Sequence, residues 1–209
     1  MGVLARFIQH PLDHHWLAAK RVLRYLKGTA HLGLIYRGND PKAAVRDRNS
    51  VLLGPVFTDA NWAGDVDDRK STSGMVSKIN GCAVNWKSKK QTVVALSTAE
   101  SELIAATEAL KEALWLRHLC DELGFKQLSP TVVYGDNESS IAIRKNGATS
   151  SSTKHIDLRE HCLRDYAAKG EIDLKWISTS EQQADIFTKA LSKHPFCGLR
   201  DEVMGITTR

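Results

Sequence analysis

The chain has 209 residues, of which 42% are hydrophobic and 25% charged, with a formal net charge of +5. That length suits one ordinary domain with an appendage, and the composition is that of a globular protein rather than a fibrous or disordered one. No apolar stretch approaches the length that crosses a bilayer and no secretory pattern opens the chain, so an intracellular protein with no membrane partner is expected.

The first predicted element is a helix over 13–27, with Asp13 placed to cap its start and Gly28 following its end. Trp16, Leu17, Val22, Leu23 and Leu26 give it apolar spacing, while Lys20, Arg21, Arg24 and Lys27 make one flank basic. Residues 1–50 hold nine Lys/Arg against three Asp/Glu, whereas the other 159 hold twenty against twenty-one. A basic excess confined to the first quarter points to nucleic acid, because Lys and Arg release condensed counterions from phosphates. A solvated helix face is the plainer alternative.

A short strand is predicted next, and the polar, proline-containing stretch 37–50 reads as a linker. Strands are predicted over 52–59, 74–79 and 83–86, with "DVDDRKS" and "NGC" as the turns between them. Trp86 reads as a core residue. The longest helical pattern covers 98–123 and closes at Gly124. A strand over 131–134, a short helix over 137–145 and a helix over 154–169 follow. A strand through "EIDLKWI" and a helix over 181–191 complete the order, and 193–209 reads as a tail. A meander followed by strand-helix-strand passages implies a mixed sheet covered by helices. The four cysteines, Cys82, Cys120, Cys162 and Cys197, are dispersed and read as reduced thiols.

Two of these strands end in the same way. "VFTDANWAGD" delivers Asp59 and "TVVYGDNESS" delivers Asp136, each at the carboxyl end of an apolar run, where ligands of such sheets gather. In "STAESEL", Glu102 falls in line with Ala99, Ala106, Ala109, Ala113, Leu116, Cys120 and Leu123 on the apolar stripe of the long helix. Glu100 falls on the wet side with Thr107, Lys111 and His118, and Ser97-x-x-Glu100 is a capping box. A carboxylate on an apolar stripe is costly unless a cation meets it, so Glu102 reads as functional. In "STSEQQADIFTKAL", Ala184, Phe187 and Leu191 are expected to face the core, so Asp185 projects away from them. Its spacing fits a site residue and a solvated residue equally. Three or four carboxylates at one sheet edge need hard cations, Mg²⁺ first and Mn²⁺ as a substitute. Two such ions suit phosphodiester hydrolysis, which makes a basic protein of this kind a nuclease candidate.

"FTDANWAGDVDDRKSTSG", "NWKSKKQTVVALSTAESELIAATEALKEALWL", "VYGDNESSIAI", "TKHIDLREHCLRD" and "EQQADIFTKAL" together resemble the ribonuclease H domain of copia-type LTR retrotransposon Pol polyproteins. The upstream "HWLAAKRVLRYLKGTAHLGLIY" resembles the end of the reverse transcriptase region that precedes it. The resemblance implies an α/β ribonuclease H-like fold. Its five-stranded mixed sheet would have the order 3-2-1-4-5, with helices on both faces and the basic helix in front. It implies a division into 1–36 as a reverse transcriptase remnant, 37–50 as linker, 51–192 as the ribonuclease H domain and 193–209 as tail. It also implies endonucleolytic cleavage of the RNA strand of an RNA/DNA hybrid with two Mg²⁺ ions. Asp59 would bridge both ions, Glu102 and Asp136 would complete one coordination sphere, and Asp185 would serve the ion that activates water.

This sequence departs from the pattern in places. Cellular ribonucleases H carry a histidine just before the last acidic helix, and "WISTSEQQAD" has none. His155 belongs to the copia pattern and reads as a helix-start or packing residue. Ala190 stands where relatives have Pro, and Gly135 where Cys is commoner. The only Asp-Asp, Asp67-Asp68, lies in a polar turn, so no polymerase centre is expected here and the reverse transcriptase polymerase region becomes a partner within a longer polyprotein. Hybrid binding is expected from Arg69, Lys70, Lys87, Lys89 and Lys90 together with Lys20, Arg21 and Arg24. A catalytically silent nucleic-acid-binding or scaffold module on the same fold is the alternative. An integrase fits poorly, because the acidic order is Asp-Glu-Asp-Asp rather than Asp-Asp-Glu.

Overall fold

A strand that is apolar on both faces has to be covered on both, and Leu53–Asn61 is such a strand: Val56 and Phe57, neighbours on opposite faces, are both buried. The computed structural model describes residues 2–36, 53–137 and 154–206. The chain divides into two units, Met1–Leu34 and Ile35–Arg209.

In the second unit, strands β1 (Leu53–Asn61), β2 (Thr72–Ile79), β3 (Cys82–Lys90), β4 (Thr131–Gly135) and β5 (Ile172–Trp176) form one sheet in the order β3-β2-β1-β4-β5. β1, β2 and β3 pair antiparallel, whereas β4 runs parallel to both β1 and β5. This is the mixed sheet and strand order that the resemblance implied. Asn80 and Gly81, with φ of 49° and 83°, make the two-residue turn between β2 and β3. Positive φ at both positions matches the right-handed twist of the strands they join.

One face of the sheet is covered by α3 (Thr98–Glu122) and α4 (Lys154–Ala168). Val56, Met75, Val133 and Leu174 pack there against Leu103, Ala106, Ala109, Leu110 and Leu163. Small residues on α3 let a 25-residue helix lie close to the strands. The predicted stripe is buried from Glu102 through Ala106, Ala109, Ala113 and Leu116 to Cys120. Leu123 falls outside it, 63% exposed, because it is the C-cap rather than a helical residue. Thr107, expected on the wet side, is buried and turns its hydroxyl back onto the Leu103 carbonyl at 2.7 Å. Trp86 is also corrected: it is 53% exposed on edge strand β3.

The opposite face carries two 3-10 turns, Thr179–Glu181 and Gln183–Phe187, and α5 (Lys193–Val203). Ala184 and Val203 pack against Phe57, Val76 and Ala83. The single helix expected over 181–191 is broken because Gln182 is extended (φ −70°, ψ 97°) and its side chain accepts the Ala184 amide at 3.2 Å. The expected tail is helical through Val203, with Leu199 and Val203 buried. Pro195 sits in the first turn of this helix, where a missing amide costs nothing. Lys78 of β2 ties this helix down: its ammonium, almost wholly buried, donates to the Glu202 carbonyl at 2.7 Å and to Gln183 Oε1 at 3.1 Å. Burial pulls the Lys78 pKa below the usual lysine range, with Glu202 opposing.

The first unit comprises α1 (Gly2–Ala5) and α2 (Asp13–Gly28). Asp13 opens α2 from inside the helix rather than capping it, and the Leu12 amide donates instead to His15 Nδ1 at 3.0 Å. Residues 29–36, where a short strand was expected, form none. Ile35 and Tyr36 belong to the second unit, where the Ile35 amide donates to the Met204 carbonyl at 2.9 Å and the Tyr36 hydroxyl to the Ala83 carbonyl at 2.7 Å. No described helix is long and apolar enough to cross a membrane. The expected linker, most of the helix expected over 137–145 and the His155 side chain lie outside the described residues.

Lys78→Ala strands a partly buried carbonyl and a buried carboxamide, so it should lower unfolding free energy by about 1–3 kcal/mol in urea titrations. An unchanged midpoint would show that α5 docks without this contact.

Candidate active site

β1 and β4 are parallel neighbours, and the register that pairs Phe57 with Tyr134 brings Asp59 level with Asp136 at their carboxyl ends. α3 begins at the same end of the sheet and swings Glu102 over β1, where its Oε1 accepts the Ala60 amide at 3.2 Å. Carboxylate oxygens of Asp59, Glu102 and Asp136 lie within 4.8 Å of one another, and this trio could hold a metal ion. All the donors are oxygens and two of the three side chains are buried, which suits a hard divalent cation. The Ser97 cap leaves Glu100 out of the group. The Ser97 hydroxyl accepts the Glu100 amide at 3.1 Å, while the Glu100 carboxylate reaches back to the Leu96 amide at 2.6 Å.

Asp185 stands beside this trio rather than within it. Contrary to the expectation that it projects away from the core, it is 3% exposed, seated on the 3-10 turn next to β1. The turn is held there by Gln182, whose Nε2 donates to the Thr58 carbonyl of β1 at 3.0 Å. Lys189 meets Asp185 Oδ1 at 2.9 Å. Burial raises the Asp185 carboxyl to a pKa of about 6, with Lys189 opposing and Asp59 adding to the rise. Asp59 is raised too, by burial first, against the hydrogen bond from Thr188 and the charge of Lys189, and with Asp136 adding to it. For Lys189, burial works against the charge, but Asp185, Asp59 and Asp136 outweigh it and hold the ammonium above the usual lysine range.

The segment from β5 to Lys189 therefore serves three of the four carboxylates. The Trp176 indole N–H donates to the Asp136 carbonyl at 3.1 Å, and the Thr179 hydroxyl to Asp136 Oδ2 at 3.1 Å. The Thr188 hydroxyl donates to Asp59 Oδ2. None of these partners was singled out from the sequence. The signal available was a pair of glutamines and a Thr-Lys pair interrupting an otherwise apolar pattern around Asp185.

The expected phosphate-binding cations are spread more widely and are largely paired. Lys90 meets Asp65 and Asp68 at 2.8 Å each, Lys70 lies 3.8 Å from Asp68, and Lys87 lies 3.5 Å from Glu112. Arg69 and Lys89 have no acidic partner within 4.0 Å among the described residues, and both are exposed. Lys87, Lys89 and Arg159 line a cleft of about 120 Å³ beside α3. Lys20, Arg21 and Arg24 are exposed on α2 of the first unit, with Lys20 5.3 Å from the Trp16 ring centroid.

No family model matches the chain. It is 42% identical over 196 residues to the retrovirus-related Pol polyprotein from transposon TNT 1-94 of Nicotiana tabacum, covering 94% of this chain and 14% of that one. The corresponding polyprotein from transposon RE2 of Arabidopsis thaliana is 35% identical over 193 residues, 92% of this chain and 13% of that one. The chain belongs to the Pol polyproteins of copia-type transposons. It spans about one seventh of the length of these Pol polyproteins. Secreted RxLR effector protein 161 of Plasmopara viticola is also similar, 47% identical over 116 residues, 56% of this chain and 75% of that protein. Among solved structures, the N-terminal RNase H domain of rv2228c from Mycobacterium tuberculosis aligns with a TM-score of 0.49 and 11% identity, covering 76% of this chain.

Two outcomes are expected of this Pol segment in chelator, without divalent ions. Lys189→Met leaves the buried carboxylates of Asp59 and Asp185 without their cation and should lower unfolding free energy by about 1–2 kcal/mol, read by urea denaturation; no loss would mean that Lys189 is not their counter-charge. An acid whose folded pKa lies above its unfolded value stabilises most when protonated, and that contribution is lost as pH rises through the folded pKa. The stability difference between Asp185→Asn and wild type should therefore move in favour of the variant as pH rises from about 4, near the unfolded value, through about 6. A difference that stays flat with pH contradicts this.

Proposed function

We propose that this chain is the ribonuclease H domain of a copia-type Pol polyprotein, an endonuclease that hydrolyses the RNA strand of RNA/DNA hybrids during reverse transcription. The observation that carries the reading is the convergence of Asp59, Glu102 and Asp136 at one end of the sheet, in a chain of this family. Asp59, Glu102 and Asp136, with Asp185 beside them, would hold two Mg²⁺ ions, for which Mn²⁺ would substitute. Bound there, such ions supply the positive charge that makes a water nucleophilic and stabilises the departing oxygen of a phosphodiester. The chain's own part is to keep the carboxylates ionised and aimed. Thr179 orients Asp136, Thr188 orients Asp59, and Lys189 carries positive charge into the cluster.

Arg69 and Lys89 are the cations best available for the hybrid backbone, with Lys70, Lys87 and Lys90 contributing after exchange with their acidic neighbours. Lys20, Arg21 and Arg24 would add phosphate contacts from the first unit. Residues 1–36 would be the end of the reverse transcriptase region, 37–50 its linker and 51–192, together with α5 packed on its sheet, the nuclease domain, with the polymerase elsewhere in the parent polyprotein. Such a protein would act inside the cell. A second reading, a catalytically silent nucleic-acid-binding or scaffold module, is favoured by one observation: the similarity to a short protein named as an effector, three quarters of which this chain covers.

Cleavage of an end-labelled RNA/DNA hybrid separates the two. With Mg²⁺ the wild type should cut the RNA strand, and chelation should stop it. Asp59→Asn and Glu102→Gln should each lower the rate by more than ~100-fold, beyond what loss of a ligand's hydrogen-bond partner usually costs. Activity surviving in both variants rejects the ligand assignment, and a folded but inactive wild type favours the silent module.

A further inference from the structure

We propose that Thr188 is a positioning residue of the metal centre, which fixes the Asp59 carboxylate for cation binding, and that Gly74 exists to let it approach. The inference rests on the metal centre proposed above. Asp59 is the most buried of the acidic trio's side chains, so its orientation is set by protein donors rather than by water. The donor to its Oδ2 is the Thr188 hydroxyl, itself buried, whose Oγ also lies 3.2 Å from the Asp185 carbonyl. One side chain thus spans the strand that carries Asp59 and the turn that carries Asp185. A hydroxyl that occupies one carboxylate oxygen fixes the rotation of the group and leaves the other oxygen for a cation. Ligating carboxylates are commonly held in this way.

The approach depends on the residue opposite. Gly74 of β2 is the cross-strand partner of Asp59 in the antiparallel ladder, so its missing side chain would point to the same face as the carboxylate. A Cβ there would lie 2.6 Å from Thr188 Cγ2, 2.9 Å from Phe187 Cβ and 3.0 Å from the Ala184 carbonyl oxygen. Two of these three neighbours are atoms of the backbone or the first side-chain carbon, which cannot swing aside. Any side chain at 74 would therefore lift the turn from the sheet and carry Thr188 away from Asp59.

The test is Mg²⁺ binding by titration calorimetry, with no nucleic acid, on the full chain and on Thr188→Val, Thr188→Ser and Gly74→Ala. Thr188→Val keeps the shape and removes the donor, and should weaken Mg²⁺ binding by ~10–100-fold while circular dichroism stays that of wild type. Thr188→Ser restores the donor and should restore affinity, and Gly74→Ala should weaken binding although the hydroxyl is retained. If the valine variant does not fold, Thr188→Ala makes no steric demand and carries the same comparison. Wild-type affinity in the donor-less variant, or a serine variant as weak as the valine one, overturns this proposal alone. A wild type that takes up no Mg²⁺ overturns it together with the metal centre.

Discussion

Burying a carboxylate at the end of a strand is unfavourable unless protein groups replace the water it loses, and Asp59 is the place where the fold meets that demand. The Thr188 hydroxyl, the Lys189 ammonium and the Ala60 amide surround it and oppose the effect of burial. All but the amide come from a segment more than a hundred residues away in sequence. The seating of the 3-10 turn against β1 is therefore a condition for the acidic trio to exist in its observed form. Gln182 on one side and the bare face of Gly74 on the other make that seating possible.

The sheet order follows from the same economy of contacts. β1 is central, pairing antiparallel with β2 and parallel with β4, and this places two strand ends side by side. The start of α3 lies at that same edge because Ser97 caps it there, so Glu102, one turn in, overhangs β1. Three carboxylates from three elements meet without any of them being close in sequence. Electrostatic repulsion among them is offset locally by Lys189, whose ammonium provides in the protein alone part of the charge that divalent ions would supply.

Electrostatics beyond the site are less one-sided than the charge count suggests. Lys90, Lys70 and Lys87 sit against Asp65, Asp68 and Glu112, so three of the cations on and beside β2 and β3 are paired, while Arg69 and Lys89 stand bare among the described residues. Ion pairs of this kind at the surface are weak and exchange readily for other anions.

Much of this was legible in the sequence. Strand patterns ending in Asp59 and Asp136 and the placement of Glu102 on an apolar helical stripe depend on periods of 2 and 3.6 residues, which are local properties of the chain. Ser97 and Glu100 likewise announced their cap. Other features depend on contacts between distant segments, and no local period encodes them. Gln182 breaks a helix because its carboxamide bonds β1, and Lys78 recruits 193–203 into the second unit because its ammonium needs partners on α5. Trp86 is exposed because β3 is an edge strand. Asp185 is the clearest division: its spacing fitted a site residue and a solvated residue alike, and only the docking of its turn beside Asp59 buried it there.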